Sequence, residues 1–94
     1  MSWFGINEKQ ADKDMKTIEK NAKLNARLED IKEDIEENPY SPTFKGEKLK
    51  YKDNDEYSKR LTQKDRVVYV PGADKNTGEK TVTYKSFLGH YDDH

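Results

Sequence analysis

A handful of side chains between residues 45 and 91 could move a proton or neutralise a phosphate. Glu47 sits in Lys45-Gly46-Glu47-Lys48-Leu49-Lys50, where neighbouring ammonium groups favour its ionised, proton-accepting form. Arg60 and Arg66 flank the four residues Thr62–Asp65 and are the only Arg of the C-terminal half. A guanidinium offers the planar donor fork that a transferring phosphoryl group demands. His90 changes charge near neutral pH, which suits a general acid. Each also has a plain reading. Glu47 taken alone is a solvated loop carboxylate. The two Arg can pair across strands with Asp65 or Glu56, and a terminal His can simply be exposed.

Other chemistries are excluded by residue type. There is no Cys, so no disulfide framework, zinc knuckle or CxxC redox site, and nothing points to an oxidising compartment. No nucleotide-binding glycine loop, HExxH or GxSxG occurs. His90 and His94 with Asp92 and Asp93 invite a metal reading, but a short polar tail end is ordinarily solvated; no metal and no cofactor are expected. No apolar run approaches the roughly 18 residues of a membrane span, and no signal peptide opens the chain. A cytoplasmic protein without membrane attachment follows.

The elements that must position these groups read as one domain over residues 1–94. Only sixteen residues are Leu, Ile, Val or Phe, but six Tyr and one Trp supplement them, and the net charge is only −1. That balance favours a small globular core over disorder. Trp3, Phe4 and Ile6 suggest an edge strand. Asn7 then reads as a helix N-cap with Gln10 in capping-box position. Ala11, Met15, Ile18 and Ala22 form one helical face, and Leu24, Leu28, Ile31 and Ile35 form another. The step from 22 to 24 rotates the stripe by about 200°, so two helices hinged near Asn21 are predicted as an antiparallel pair. Asn38 and Pro39 stop the second. Tyr57–Leu61, Arg66–Val70 and Lys80–Leu88 read as strands. A tight turn joins the first two, and a polar loop over Pro71–Gly78 joins the last two. The fold class is α+β: a two-helix N-terminal hairpin packed on a mostly antiparallel sheet.

Charge is uneven along the chain. Residues 1–42 carry ten acidic and seven basic side chains, whereas residues 43–66 carry five and eight. Two solvated faces explain this; so does a basic surface for phosphate beside an acidic helical face.

The ordered set Gly46-Glu47-Lys48-Leu49-Lys50, Tyr57-Ser58-Lys59-Arg60-Leu61-Thr62, Asp65-Arg66-Val67-Val68-Tyr69 and Gly89-His90-Tyr91 resembles the YoeB/Txe toxins of bacterial toxin–antitoxin pairs, within the RelE/ParE superfamily. The similarity is strongest over Asn38–Tyr91 and collinear over Met1–Glu37. It implies a ribosome-dependent endoribonuclease, an mRNA interferase that cuts messenger RNA in the ribosomal A site and so inhibits translation. The family pattern would make Glu47 the general base and His90 the general acid. Arg66 would stabilise charge on the phosphate, with Lys50, Arg60 and Tyr91 contacting substrate. The resemblance further implies a cognate, YefM-like antitoxin whose flexible segment folds across the active face, and a capacity for self-association as a homodimer.

Two departures stand out. The family usually has His before the strand-opening Arg, where this chain has Asp65, a residue that would repel phosphate or hold Arg66 in an ion pair. Family chains tend to end at the His-Tyr, whereas Asp92-Asp93-His94 follow here. A second reading stays open: a non-catalytic inhibitor of the same fold that binds a protein or nucleic-acid target such as gyrase. A plain interaction domain is the third.

Overall fold

The structure is a computed structural model that describes residues 2–49 and 55–89. Its elements follow the order β1 (Phe4–Asn7), α1 (Lys9–Ile18), α2 (Ala22–Glu37), a short 3₁₀ turn at Thr43–Lys45, β2 (Glu47–Lys48), β3 (Tyr57–Arg60), β4 (Arg66–Ala73) and β5 (Lys80–Gly89). The strands form one five-stranded sheet in the order β1-β5-β4-β3-β2. Among the described strands only β1 and β5 run parallel. The α+β architecture expected from the residue pattern is the one observed.

The helices divide where the apolar stripe changes phase. Asn21 is the N-cap of α2, its side-chain oxygen accepting from the Leu24 amide at 3.1 Å, which satisfies one orphan donor of the first turn. Asn38 leaves the helix in extended conformation before Pro39, as proline's ring requires of its predecessor. Ala11 and Ile18 of α1 and Leu28, Ile31 and Ile35 of α2 pack on Leu61, Val67, Tyr69, Val82, Tyr84 and Phe87 of the sheet region. Tyrosine does much of the filling. The Tyr69 hydroxyl donates to the Pro39 carbonyl at 2.6 Å, and the Tyr84 hydroxyl to Glu36 Oε2 at 2.6 Å.

Three local expectations need correction. Asn7 is not the N-cap of α1; pairing with Tyr84 claims it for β1, and Glu8 caps the helix without a side-chain hydrogen bond. No capping box forms, because the Asn7 amide donates instead to Asp12 Oδ1 at 3.1 Å and that of Gln10 to Asp14 Oδ1 at 2.9 Å. Ala22 does not extend the buried face of α1: it opens α2 and is exposed. The loop after β4 is shorter than Pro71–Gly78, since Pro71, Gly72 and Ala73 continue the strand opposite Val82, Thr81 and Lys80.

The register along β4 and β5 shapes one end of the sheet. Tyr69 pairs with Tyr84 but Arg66 pairs with Gly89, so five steps of β5 run against three of β4. Two irregularities absorb the difference. Such bulges bend a strand and re-aim its end. Here they bring Gly89 level with Arg66.

Candidate active site

The site is assembled at that end of the sheet by strand register. β3 pairs with β4 so that Arg60 lies opposite Arg66, and β2 pairs with β3 so that Glu47 lies opposite Ser58. Side chains alternate along a strand. In β3 the core side takes Tyr57, Lys59 and then Leu61 beyond the strand end, which leaves Ser58 and Arg60 on the opposite face. In β4, Val67 and Tyr69 enter the helix-side cluster, so Arg66 and Val68 share the face of Arg60. Leu49 and Val68 are also buried but lie outside that cluster.

On this outer face the sheet joins groups of opposite charge. Arg66 Nη1 lies 3.4 Å from Glu47 Oε2, spanning from β4 to β2. The arginine is mostly enclosed, with 23% of its side chain exposed, while 53% of the Glu47 side chain is open to solvent. Arg60 Nε is buried and has no hydrogen-bond partner among the described residues. The arrangement therefore offers a solvent-accessible carboxylate, a guanidinium touching it, and a second arginine in register beside it. A carboxylate can take a proton; two adjacent cations can hold a phosphate whose charge is rising.

Lysine and aspartate side chains surround this core of the site. Lys48 forms an exposed ion pair with Asp55 at 3.1 Å, and that carboxylate holds its ammonium above the ordinary lysine pKa. Asp65, set against the phosphate by sequence, lies in the turn between β3 and β4. Its carboxylate accepts from the Thr62 hydroxyl at 3.3 Å, and its amide donates to the same hydroxyl oxygen at 3.0 Å. A cleft of about 690 Å³ lies at the other edge of the sheet, lined by Trp3, Lys32, Glu36 and Tyr84 among others. None of the candidate catalytic or substrate-binding residues lines it.

Glu47, Arg60 and Arg66 are thus brought together. Lys50, His90 and Tyr91 lie outside the described residues, as do Asp92, Asp93 and His94. Gly89, level with Arg66, precedes His90 in the chain. Among the described residues no group of three His, Cys, Asp or Glu is placed to hold a metal ion, and no helix is long and apolar enough to cross a membrane.

The model of the YoeB-like toxins of bacterial type II toxin–antitoxin systems matches residues 7–91. The chain belongs to that family. Among solved structures, a YoeB/ParE toxin from Agrobacterium tumefaciens superposes with a TM-score of 0.82 at 18% identity, covering 94% of this chain and 99% of that one. At that identity the likeness speaks for the fold. A YoeB dimer from Staphylococcus aureus gives 0.78 at 26% identity, covering 97% of this chain and all of the other. A YoeB–YefM complex from the same organism gives 0.75 at the same identity and coverage. A comparison with curated proteins found no match.

Residues that support the candidate site from behind are not apparent from sequence. Arg27 of α2 donates from Nε to the Leu61 carbonyl at 2.7 Å and from Nη2 to the Arg60 carbonyl at 3.3 Å. Its guanidinium also lies 5.2 Å from the centre of the Phe44 ring. Lys59 of β3 is fully buried beside Asp34. The signal for Lys59 was present: it shares the strand parity of Tyr57 and Leu61, which marks it as inward-facing.

Proposed function

We propose that this toxin is a ribosome-dependent endoribonuclease that cleaves messenger RNA in the ribosomal A site without a metal ion. The observation carrying this reading is the Glu47–Arg66 pair on an outward sheet face, with Arg60 in register beside it, in a chain of the YoeB family. RNA supplies its own nucleophile, the ribose 2′-hydroxyl, so no water need be activated. Glu47 takes the 2′ proton as the oxygen attacks the adjacent phosphorus in line. Arg66, turning from Glu47 toward the phosphate, and Arg60 meet the negative charge of the phosphorane. His90 protonates the departing 5′ oxygen, leaving a 2′,3′-cyclic phosphate. Lys50 and Tyr91 contribute contacts to the substrate. Acid–base assistance of this kind contributes about 10²–10⁴-fold, and preorganised cations supply much of the remainder.

In this proposal the chain is a single toxin domain acting in a bacterial cytoplasm. Its partners are the ribosome, messenger RNA and a YefM-like antitoxin, with self-association as a dimer. Support for the last two comes from relatives solved as a dimer and as a YoeB–YefM complex. The test is to add the protein to ribosomes programmed with a defined message and map the ends produced. A cut within the A-site codon is expected. Inhibition of gyrase supercoiling with the message left intact would favour the non-catalytic reading instead.

A further inference from the structure

Lys59 is a fully buried ammonium in a strand. It donates to the Ser41 carbonyl at 2.7 Å and the Thr43 carbonyl at 2.7 Å, and pairs with Asp34 Oδ2 at 3.1 Å. Thr43 Oγ1 donates to the same carboxylate oxygen at 2.6 Å. A charge removed from water persists only where its partners saturate it, and here two main-chain carbonyls and a carboxylate do so. What they anchor is the segment that delivers Glu47.

That segment is strained. Phe44 and Lys45 stand consecutively at φ 54° and 55°, left-handed values that a side chain bearing a β-carbon resists. Gly46 follows in a space that admits no side chain: a β-carbon there would lie 2.6 Å from the Ser41 carbonyl and 2.8 Å from Lys59 Nζ. Its amide donates to the carbonyls of Pro42 and Thr43 at 3.2 and 3.1 Å. Glu47 is the next residue. Lys59 itself lies between Ser58, which pairs with Glu47, and Arg60, which pairs with Arg66. Surrounding structure must over-determine a turn of this kind for it to persist.

We infer that Lys59 is a positioning residue for the cleavage reaction: its buried ammonium clamps the left-handed Phe44–Lys45 turn and thereby sets the Glu47 carboxylate against Arg66. This rests on Glu47 being the general base. The ammonium reaches the reacting atoms only through the chain it holds, so its removal should slow the chemical step and leave ribosome binding alone.

The experiment compares single-turnover cleavage of a defined message on preassembled ribosomes by full-length wild type, Lys59→Met, Lys59→Met/Lys45→Gly and Glu47→Gln, below the melting temperature of each. Lys59→Met should be at least tenfold slower per folded molecule, with ribosome affinity within twofold. Glycine adopts left-handed φ without the β-carbon penalty, so Lys45→Gly should restore several-fold of the lost rate; a role in stability alone would not give that rescue. If Lys59→Met fails to fold, Gly46→Ala, which intrudes on the same carbonyl and ammonium, should reproduce the slow chemistry with binding intact. A wild-type rate in the folded Lys59→Met variant, or in Gly46→Ala where that variant must decide, overturns the inference, as does a missing rescue. If Glu47→Gln also cuts at the wild-type rate, it is the general-base reading that has failed, and the two failures are thereby told apart.

Discussion

Asp14 should be among the most costly polar residues to remove, because two consecutive amides of β5 depend on it. β1 pairs with β5 only over residues 81–84, and Phe87 and Leu88 fall between the Ser86 and Gly89 pairings with β4, so neither ladder pairs them. Asp14 of α1, 7% exposed, accepts both the Phe87 amide at 3.0 Å and the Leu88 amide at 3.1 Å on its Oδ2. Asp14→Ala strands those two donors. A buried donor left unsatisfied costs about 1–3 kcal/mol, and Leu88 is only partly buried, so the pair should total about 3 kcal/mol. For a domain of this size each kcal/mol lowers the melting temperature by about 4–8 °C, giving a fall of roughly 15 °C. Asp14→Asn can keep an oxygen at the Oδ2 position and should lose only about 1 kcal/mol, the difference between a charged and a neutral acceptor. Urea unfolding of the three proteins measures the energies, and amide exchange at Phe87 and Leu88 reports the two donors directly. An alanine variant within about 0.5 kcal/mol of wild type, the spread of ordinary surface changes, with both amides still protected, would refute this role for Asp14.

The same contacts set further expectations. Burial above all raises the pKa of Tyr69 and Tyr84 well beyond the ordinary tyrosine value of 10, with the charge of Asp34 adding for Tyr69 and the hydrogen bond to Glu36 for Tyr84. A raised folded-state pKa contributes stability that is whole below pH 10 and is lost as pH climbs above it. Alkaline titration should therefore show these two hydroxyls ionising only as the protein unfolds, and Tyr84→Phe should flatten that pH dependence; early ionisation of all six Tyr with the fold intact would contradict it. Arg66→Lys keeps the charge but loses the planar fork, so cleavage should fall by about tenfold or more, and a wild-type rate would remove Arg66 from the phosphate. Replacing the ribose 5′ of the cut by deoxyribose should abolish cleavage, whereas EDTA added to preassembled complexes should leave the chemical step unchanged. Cutting of the deoxy substrate would point to activated water.

Period and phase carried most of the fold. The break between Ala22 and Leu24 located two helices, and the β-branched and aromatic runs located three strands, because burial against a single core leaves that imprint. Less was legible where two elements compete for one residue. Asn7 has the chemistry of a helix cap, but a parallel pairing with β5, nearly eighty residues away in sequence, claims it. β2 carries only two residues, both exposed, so no alternation could announce it. At the site, the residue types suggested Glu47, Arg60 and Arg66 as acid–base and phosphate groups. Their meeting depends on register, which residue type does not encode. The burial of Lys59 is not legible from residue type, because a lysine amid so many charged neighbours reads as solvated until its strand parity is compared with Tyr57 and Leu61.

The most direct test of Glu47 as the general base is the single-turnover rate of Glu47→Gln on programmed ribosomes. Glutamine preserves size and hydrogen-bonding reach while removing the basicity that draws off the 2′ proton. With Arg66 3.4 Å away and the negative charge at position 47 gone, ribosome binding should hold or tighten. Cleavage should drop by roughly 10² or more, the scale of a lost general base. Cleavage at the wild-type rate, with ribosome binding intact, would contradict the assignment of Glu47 as the base.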